Sequence, residues 1–320
     1  MTFVRTVLGD IPPADLGTTY AHEHVVIDGG PAVEMSPDFE LNDPDRLVAE
    51  LRDGFDAGLR GAIDMMPADC GRNPQLLAEL SRRSGVHLVA ATGLHHEKFT
   101  GPSHWSRRAG ADELADLFVA DIEIGIDARD YTGPIVERTA VRAGVVKIAG
   151  SLGGPSDRDR PIFLAAATTH IRTGVPIHTH CEAGTGALEQ VRLLTDAGLP
   201  AERISLSHVD KVVDRGYHRE VFATGSRVVY DQAFRWGDRA NGTLQLLEWA
   251  AEDGALDQVM LGMDAARQGY YRAFGGAPGL PYLLTTFSDE LERHGLDGAT
   301  RRRLFVDNPA RAFAFAEVDG

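Results

Sequence analysis

The chain has 320 residues, 43% hydrophobic and 25% charged, enough for a sizeable core, and its formal net charge of −15 would repel a nucleic-acid backbone. No apolar run approaches the ~20 residues needed to span a bilayer, and Met1-Thr2-Phe3-Val4-Arg5 lacks a signal-peptide pattern, so a cytoplasmic protein without nucleic-acid or membrane partners is expected. Cys70 and Cys181 form no Cys-x-x-Cys pair, which argues against a disulfide framework, and Cys181, directly after a candidate ligand, reads as a small buried thiol.

The first strand-like run is Thr19 to Asp28, which contains His22-Glu23-His24. Side chains two apart in a strand share a face, so His22 and His24 project together and Glu23 points the other way. Asp43-Pro44 then opens a helix through Leu47, Leu51 and Phe55, with Asp43 as its cap and Pro44 in the first turn, where no amide partner is lost. Gly61 to Met66 reads as a second strand. Asn73-Pro74 opens a helix that Gly85 ends, and Val86 to Thr92 is a third strand.

The alternation continues with a helix over Leu114 to Ile126, strand Val145 to Ala149, helix Ile162 to Ile171 and strand Val175 to His180. Helix Ala187 to Ala197, strand Ile204 to His208, a helix around Glu220 and strand Val228 to Asp231 follow. The last elements are helix Leu244 to Ala251, strand Val259 to Asp264, and helices Tyr282 to Leu291 and Asn308 to Phe315. Arg301-Arg302-Arg303, within a helical pattern, is expected to be a solvated face. About eight β-α units without an interrupting linker suit an α/β fold, a (β/α)8 TIM barrel occupying residues 1–320 as a single domain. A doubly wound open sheet would alternate in the same way. It would usually carry a Gly-rich phosphate loop after its first strand, where this chain has His22 and His24.

In such a barrel, functional side chains sit at the C-terminal ends of the strands and face one mouth. His22 and His24 on strand 1, Lys147 on strand 4, His180 on strand 5, His208 on strand 6 and Asp264 on strand 8 all meet that condition. Four imidazoles and a carboxylate suit a transition metal rather than calcium. Lys147 is flanked by Val145, Val146, Ile148 and Ala149, where an unpaired ammonium costs several kcal/mol. Burial beside cations would make its neutral amine available to add carbon dioxide and form a carbamate. The alternative is an ammonium that reaches a carboxylate or the surface.

The motifs Ala21-His22-Glu23-His24, Val146-Lys147, Gly174-Val175-Pro176-Ile177-His178-Thr179-His180, Leu206-Ser207-His208-Val209-Asp210, Gly262-Met263-Asp264 and Val306-Asp307-Asn308-Pro309-Ala310-Arg311 occur in this order along the chain. Together they resemble the phosphotriesterase family of the amidohydrolase superfamily over almost the full length. The resemblance implies two divalent transition-metal ions, zinc foremost, with manganese, cobalt, nickel or iron as alternatives. His22, His24 and Asp264 would hold one, His180 and His208 the other, and a carboxylated Lys147 (N6-carboxylysine) would bridge them. His178 would lie deeper, as a supporting or packing residue. A metal-bridging hydroxide would then attack a small-molecule substrate, with Asp264 accepting its proton and passing it to the leaving group.

The family includes phosphotriesterases, N-acyl homoserine lactonases and lactonases for phosphorylated sugar acids. The loop after Asp264, with Arg267 and Tyr270, resembles the phosphorylated-lactone branch, where an arginine and a tyrosine three residues later contact phosphate. Arg235 is an approximate counterpart of that branch's lysine. A metal-dependent lactonase is therefore expected, with phosphotriesterase or homoserine lactonase activity as the alternative and a metal-containing binding protein as the non-enzyme reading. Phe274, Trp236 and Trp105 could line an apolar pocket, and His95 and His96 lie at the expected mouth. The family also suggests a homodimer.

Overall fold

The computed structural model describes residues 2–101, 103–237 and 239–318. It begins with an antiparallel hairpin, β1 (Val4–Thr6) and β2 (Gly9–Ile11), whose three-residue strands were too short to stand out in the sequence. Arg5 fixes the hairpin: its guanidinium pairs with Asp10 and lies against the stacked rings of Phe3 and Phe315, 4.6 Å apart.

Eight parallel strands follow: β3 (Thr19–Glu23), β4 (Gly61–Asp64), β5 (His87–Gly93), β6 (Val145–Gly150), β7 (Ile177–Cys181), β8 (Ile204–Ser207), β9 (Arg227–Tyr230) and β10 (Val259–Leu261). Each pairs with the next in chain order, and helices on the outside connect them. This is a (β/α)8 barrel. Helix Pro44–Asp56 begins where Asp43 accepts from the amides of Asp45 and Arg46. Helix Pro74–Ser84 begins at Asn73 and ends at Gly85, whose φ of 79° is the left-handed stop that glycine adopts without steric cost.

The seam between β10 and β3 closes differently from the other joints. The Asp264 amide donates to His22 O at 2.9 Å, and the Glu23 carboxylate accepts from the Met263 and Ala265 amides at 2.7 and 3.3 Å. Glu23 thus faces away from the barrel interior, as the alternation requires, and ties the first strand to the segment that carries Asp264.

Two terminal helices differ from expectation. The run Tyr282 to Leu291 divides into a 3-10 turn, Leu280–Leu284, and helix Thr286–Arg293, because Thr285 adopts φ −116° and ψ −93°. Helix Asn308–Ala312 stops short of Phe315, whose amide instead donates to Phe3 O. Arg301, Arg302 and Arg303 lie at the surface, facing Glu292, Asp307 and Asp257 respectively. Both cysteines are buried free thiols. Among the described residues, no helix is long and apolar enough to cross a membrane.

Candidate metal centre

His22 lies near the end of β3 and His24 directly after it, with their rings 5.4 Å apart. Their Nε2 atoms approach Asp264 Oδ1 at 3.6 and 3.2 Å, and Lys147 Nζ is 3.3 Å from His22 Nε2. On the other side, the His180 and His208 rings meet edge to face at 4.4 Å. All six expected ligands line one cavity of ≈ 200 Å³ at the C-terminal mouth of the barrel. His208 and Asp264 both have left-handed backbones, with φ of 67° and 50°. His and Asp tolerate that conformation better than most residues, and it turns both side chains inward just past their strand ends.

A second layer holds these groups. Asp231, directly after β9, is buried between two histidines and accepts at 3.0 Å from His22 Nδ1 and at 2.8 Å from His208 Nδ1. This fixes both rings with Nε2 as the free nitrogen. Glu182 takes His180 Nε2 at 2.6 Å, so Nδ1 is the free nitrogen of that ring, and Lys98 contacts the same carboxylate at 3.2 Å. Carboxylate-oriented imidazoles of this kind are the usual support of a metal site. The rule that selected Asp264, an acid at a strand's C-terminal end, would also have selected Asp231.

The electrostatics suit cation binding. Burial, reinforced by Lys147, holds His22 well below its ordinary pKa, and burial with His208 nearby lowers His180 to about 3. Both rings therefore keep an uncharged lone pair. Desolvation would raise Asp264, but His208, His24 and Arg235 outweigh it and hold the carboxylate well below its usual range. Burial lowers Lys147 to about 8. Two uncharged imidazoles, His22 and His180, beside an ionised acid and a readily deprotonated amine fit a divalent metal site.

The residues expected to contact substrate lie elsewhere. Arg235 donates to the carbonyls of Asp231, Met263 and Asp264 and comes within 3.4 Å of Asp264 Oδ2. Arg267 pairs with Asp38 at 3.3 Å and stacks over Phe39 at 3.9 Å, while the Tyr270 ring packs against Phe234. None of the three lines the cavity. Its remaining wall includes Ile27, Phe39, Met66, Phe99, Lys98 and Lys211, of which sequence reasoning had singled out none. His95 also lines it, whereas Trp105 is turned to Asp69.

A family model for the phosphotriesterase family matches residues 2–313. The chain belongs to the phosphotriesterase family. Among curated members, a phospho-furanose lactonase from Mycoplasmopsis synoviae is 32% identical over 98% of this chain and 92% of its own length. A lactonase structure from Listeria monocytogenes superimposes with a TM-score of 0.89 at 30% identity, covering 98% of this chain and all of that one (100%). The phosphotriesterase homology protein of Escherichia coli, complexed with phosphate in its active site, gives a TM-score of 0.85 at 31% identity, with 93% and 99% covered. In this phosphotriesterase-family member, histidine and aspartate groups are positioned to bind a divalent metal.

Proposed function

We propose that the chain is a metal-dependent hydrolase that opens the ring of a phosphorylated sugar lactone. The observation that carries this reading is the cavity, where the six expected ligands share one wall with two lysines. The lactonase relatives and the phosphate-bound structure of the Escherichia coli relative support it.

In this reading His22, His24 and Asp264 would hold one cation and His180 and His208 the second, with a carboxylated Lys147 as a further ligand. Bound cations would lower the pKa of a coordinated water and polarise the lactone carbonyl. Asp264 Oδ1 faces the two histidines and Oδ2 has a long contact from Arg235 at 3.4 Å, and this carboxylate would accept the proton of the attacking water and deliver it to the departing ring oxygen. Arg235 adds to His208 and His24 in keeping that carboxylate ionised and, through three backbone carbonyls, holds the turn that presents it. Asp231 and Glu182 keep the imidazoles in register.

Lys211 is exposed at the cavity rim, and no acid among the described residues lies within salt-bridge reach of its ammonium. A phosphate group would meet it there, with Lys98 on the Glu182 side. Phe39, Phe99 and Ile27 offer an apolar wall to the carbon face of the ring. Arg267 and Tyr270 are candidates for further phosphate contacts, reached by movement of the loop after β10 and release of Asp38.

The test is a panel of phosphorylated lactones, their unphosphorylated analogues, a homoserine lactone and a phosphotriester, each followed with and without chelator. Chelator-sensitive ring opening, fastest on a phosphorylated lactone, is the expected result. Equal rates on phosphorylated and unphosphorylated rings would overturn the substrate assignment, and turnover unaffected by chelator would overturn the metal reading.

A further inference from the structure

One imidazole beneath the metal centre has nothing to bond. His178 is completely buried on β7, and neither its Nδ1 nor its Nε2 has a hydrogen-bond partner among the described residues. The neighbouring ligands differ in this respect: Asp231 engages His22 and His208, and Glu182 engages His180. An imidazole carries at least one N–H in any protonation state. Leaving it unpaired in a buried site carries a penalty that an apolar side chain of similar size would not incur.

The surroundings indicate the missing partner. β6 and β7 pair in register so that Lys147 stands directly beside His178, with both side chains on the interior face. The His178 ring meets His22 edge-on at 4.9 Å, and His22 Nε2 is the atom 3.3 Å from Lys147 Nζ. No acid among the described residues is within salt-bridge reach of Lys147, so a buried amine without an anion adjoins a buried N–H without an acceptor. A carboxylate added to Nζ resolves both. Each of its oxygens has two lone pairs, one available to a cation and one to an N–H.

We propose that His178 is a positioning residue for carboxylated Lys147, donating a ring N–H to the carbamate and fixing the orientation in which it can bridge two cations. The inference rests on the carboxylation reading given above. In the modification, the neutral amine's lone pair attacks the carbon of dissolved carbon dioxide. The N–C bond forms as one C=O π pair moves onto oxygen, and one Nζ proton passes to solvent water. His178 makes and breaks no bond in that step; it holds the product.

The experiment compares wild type, His178→Phe and His178→Gln, each stripped with chelator and reloaded with zinc in 13C-labelled bicarbonate. The readouts are zinc affinity by competition, the carbamate carbon signal by 13C NMR, and the melting temperature before and after loading. The phenyl variant is expected to melt at or above the wild-type temperature without metal, yet to bind zinc ~10–100-fold more weakly with a diminished carbamate signal. Glutamine, which keeps an N–H, should restore part of both. His178→Leu supplies the same reading if the phenyl ring does not fit. Wild-type zinc affinity and carbamate signal in the apolar variants would overturn the role of His178 alone. Absence of the signal in wild type would overturn the carboxylation reading and this inference with it.

Discussion

Replacing Lys147 with methionine should stabilise the metal-free protein while destroying its metal centre. Lys147 is 1% exposed, its Nζ has a single hydrogen-bond neighbour among the described residues, and burial lowers its pKa from 10.5 to about 8. A base whose pKa falls on folding opposes folding wherever the unfolded chain is protonated. The penalty is complete below about 8 and disappears as the pH rises towards 10.5. At neutral pH a shift of this size corresponds to ~3 kcal/mol. Methionine, of similar length and without charge, removes it. With an unfolding entropy of about 2.1 cal/mol/K per residue, ~3 kcal/mol amounts to a rise of ~5 °C in melting temperature for a chain of this length. The assay is calorimetry on chelator-stripped wild type and Lys147→Met in degassed buffer, at neutral pH and near the upper end of the titration. The variant should lead at neutral pH, and the gap should close as the pH rises. A variant that melts lower, or a gap that ignores pH, would refute the burial argument.

Other substitutions probe the supporting layer and the rim. Asp231→Asn removes the carboxylate that orients His22 and His208 and should weaken zinc binding ~10–100-fold in a chelator competition, a loss typical of removing such a group. Lys211→Met should raise KM for a phosphorylated lactone ~10–100-fold, the size of a lost charge-assisted hydrogen bond of about 1.5–3 kcal/mol. It should leave the unphosphorylated analogue unchanged, and equal effects on both would exclude a phosphate contact. Glu23→Ala leaves the Met263 and Ala265 amides without acceptors at a cost of about 1–3 kcal/mol each. It should lower both the melting temperature and kcat, the latter because the same contacts place Asp264; full activity in a destabilised protein would separate the two roles.

The elements that could be read from the chain are those whose signals are local. Asp43-Pro44 and Asn73-Pro74 combine a cap with a residue that suits the first turn, so both helices begin where the sequence places them. The barrel strands are short apolar runs bounded by turn residues, and all eight formed. The hairpin at Val4–Ile11 left no such trace, since its strands are three residues long and depend on Arg5 meeting Phe315 from the far end of the chain. Helix Asn308–Ala312 ends early for the same reason: Phe315 is drawn to Phe3, a partner that no local window contains.

The site divides along similar lines. That the six expected ligands would share one cavity was legible because strand-end histidines, a buried lysine and a strand-terminal aspartate occur in a recognisable order, and the barrel brings strand ends together without further information. Whether a side chain enters the cavity depends on loop paths, which no local pattern of residues reveals. Arg267 and Tyr270 look like anion ligands in sequence, yet Asp38, Phe39 and Phe234 engage them in this conformation. Lys211 lies three residues beyond His208 in an unremarkable turn and reaches the rim. The phosphate assignment therefore turns on a competition that can be measured. If Asp38 holds Arg267 away from substrate, Asp38→Asn should free the guanidinium and lower KM for the phosphorylated lactone, and Arg267→Ala should abolish that gain. If Lys211 alone meets the phosphate, Asp38→Asn should leave KM unchanged.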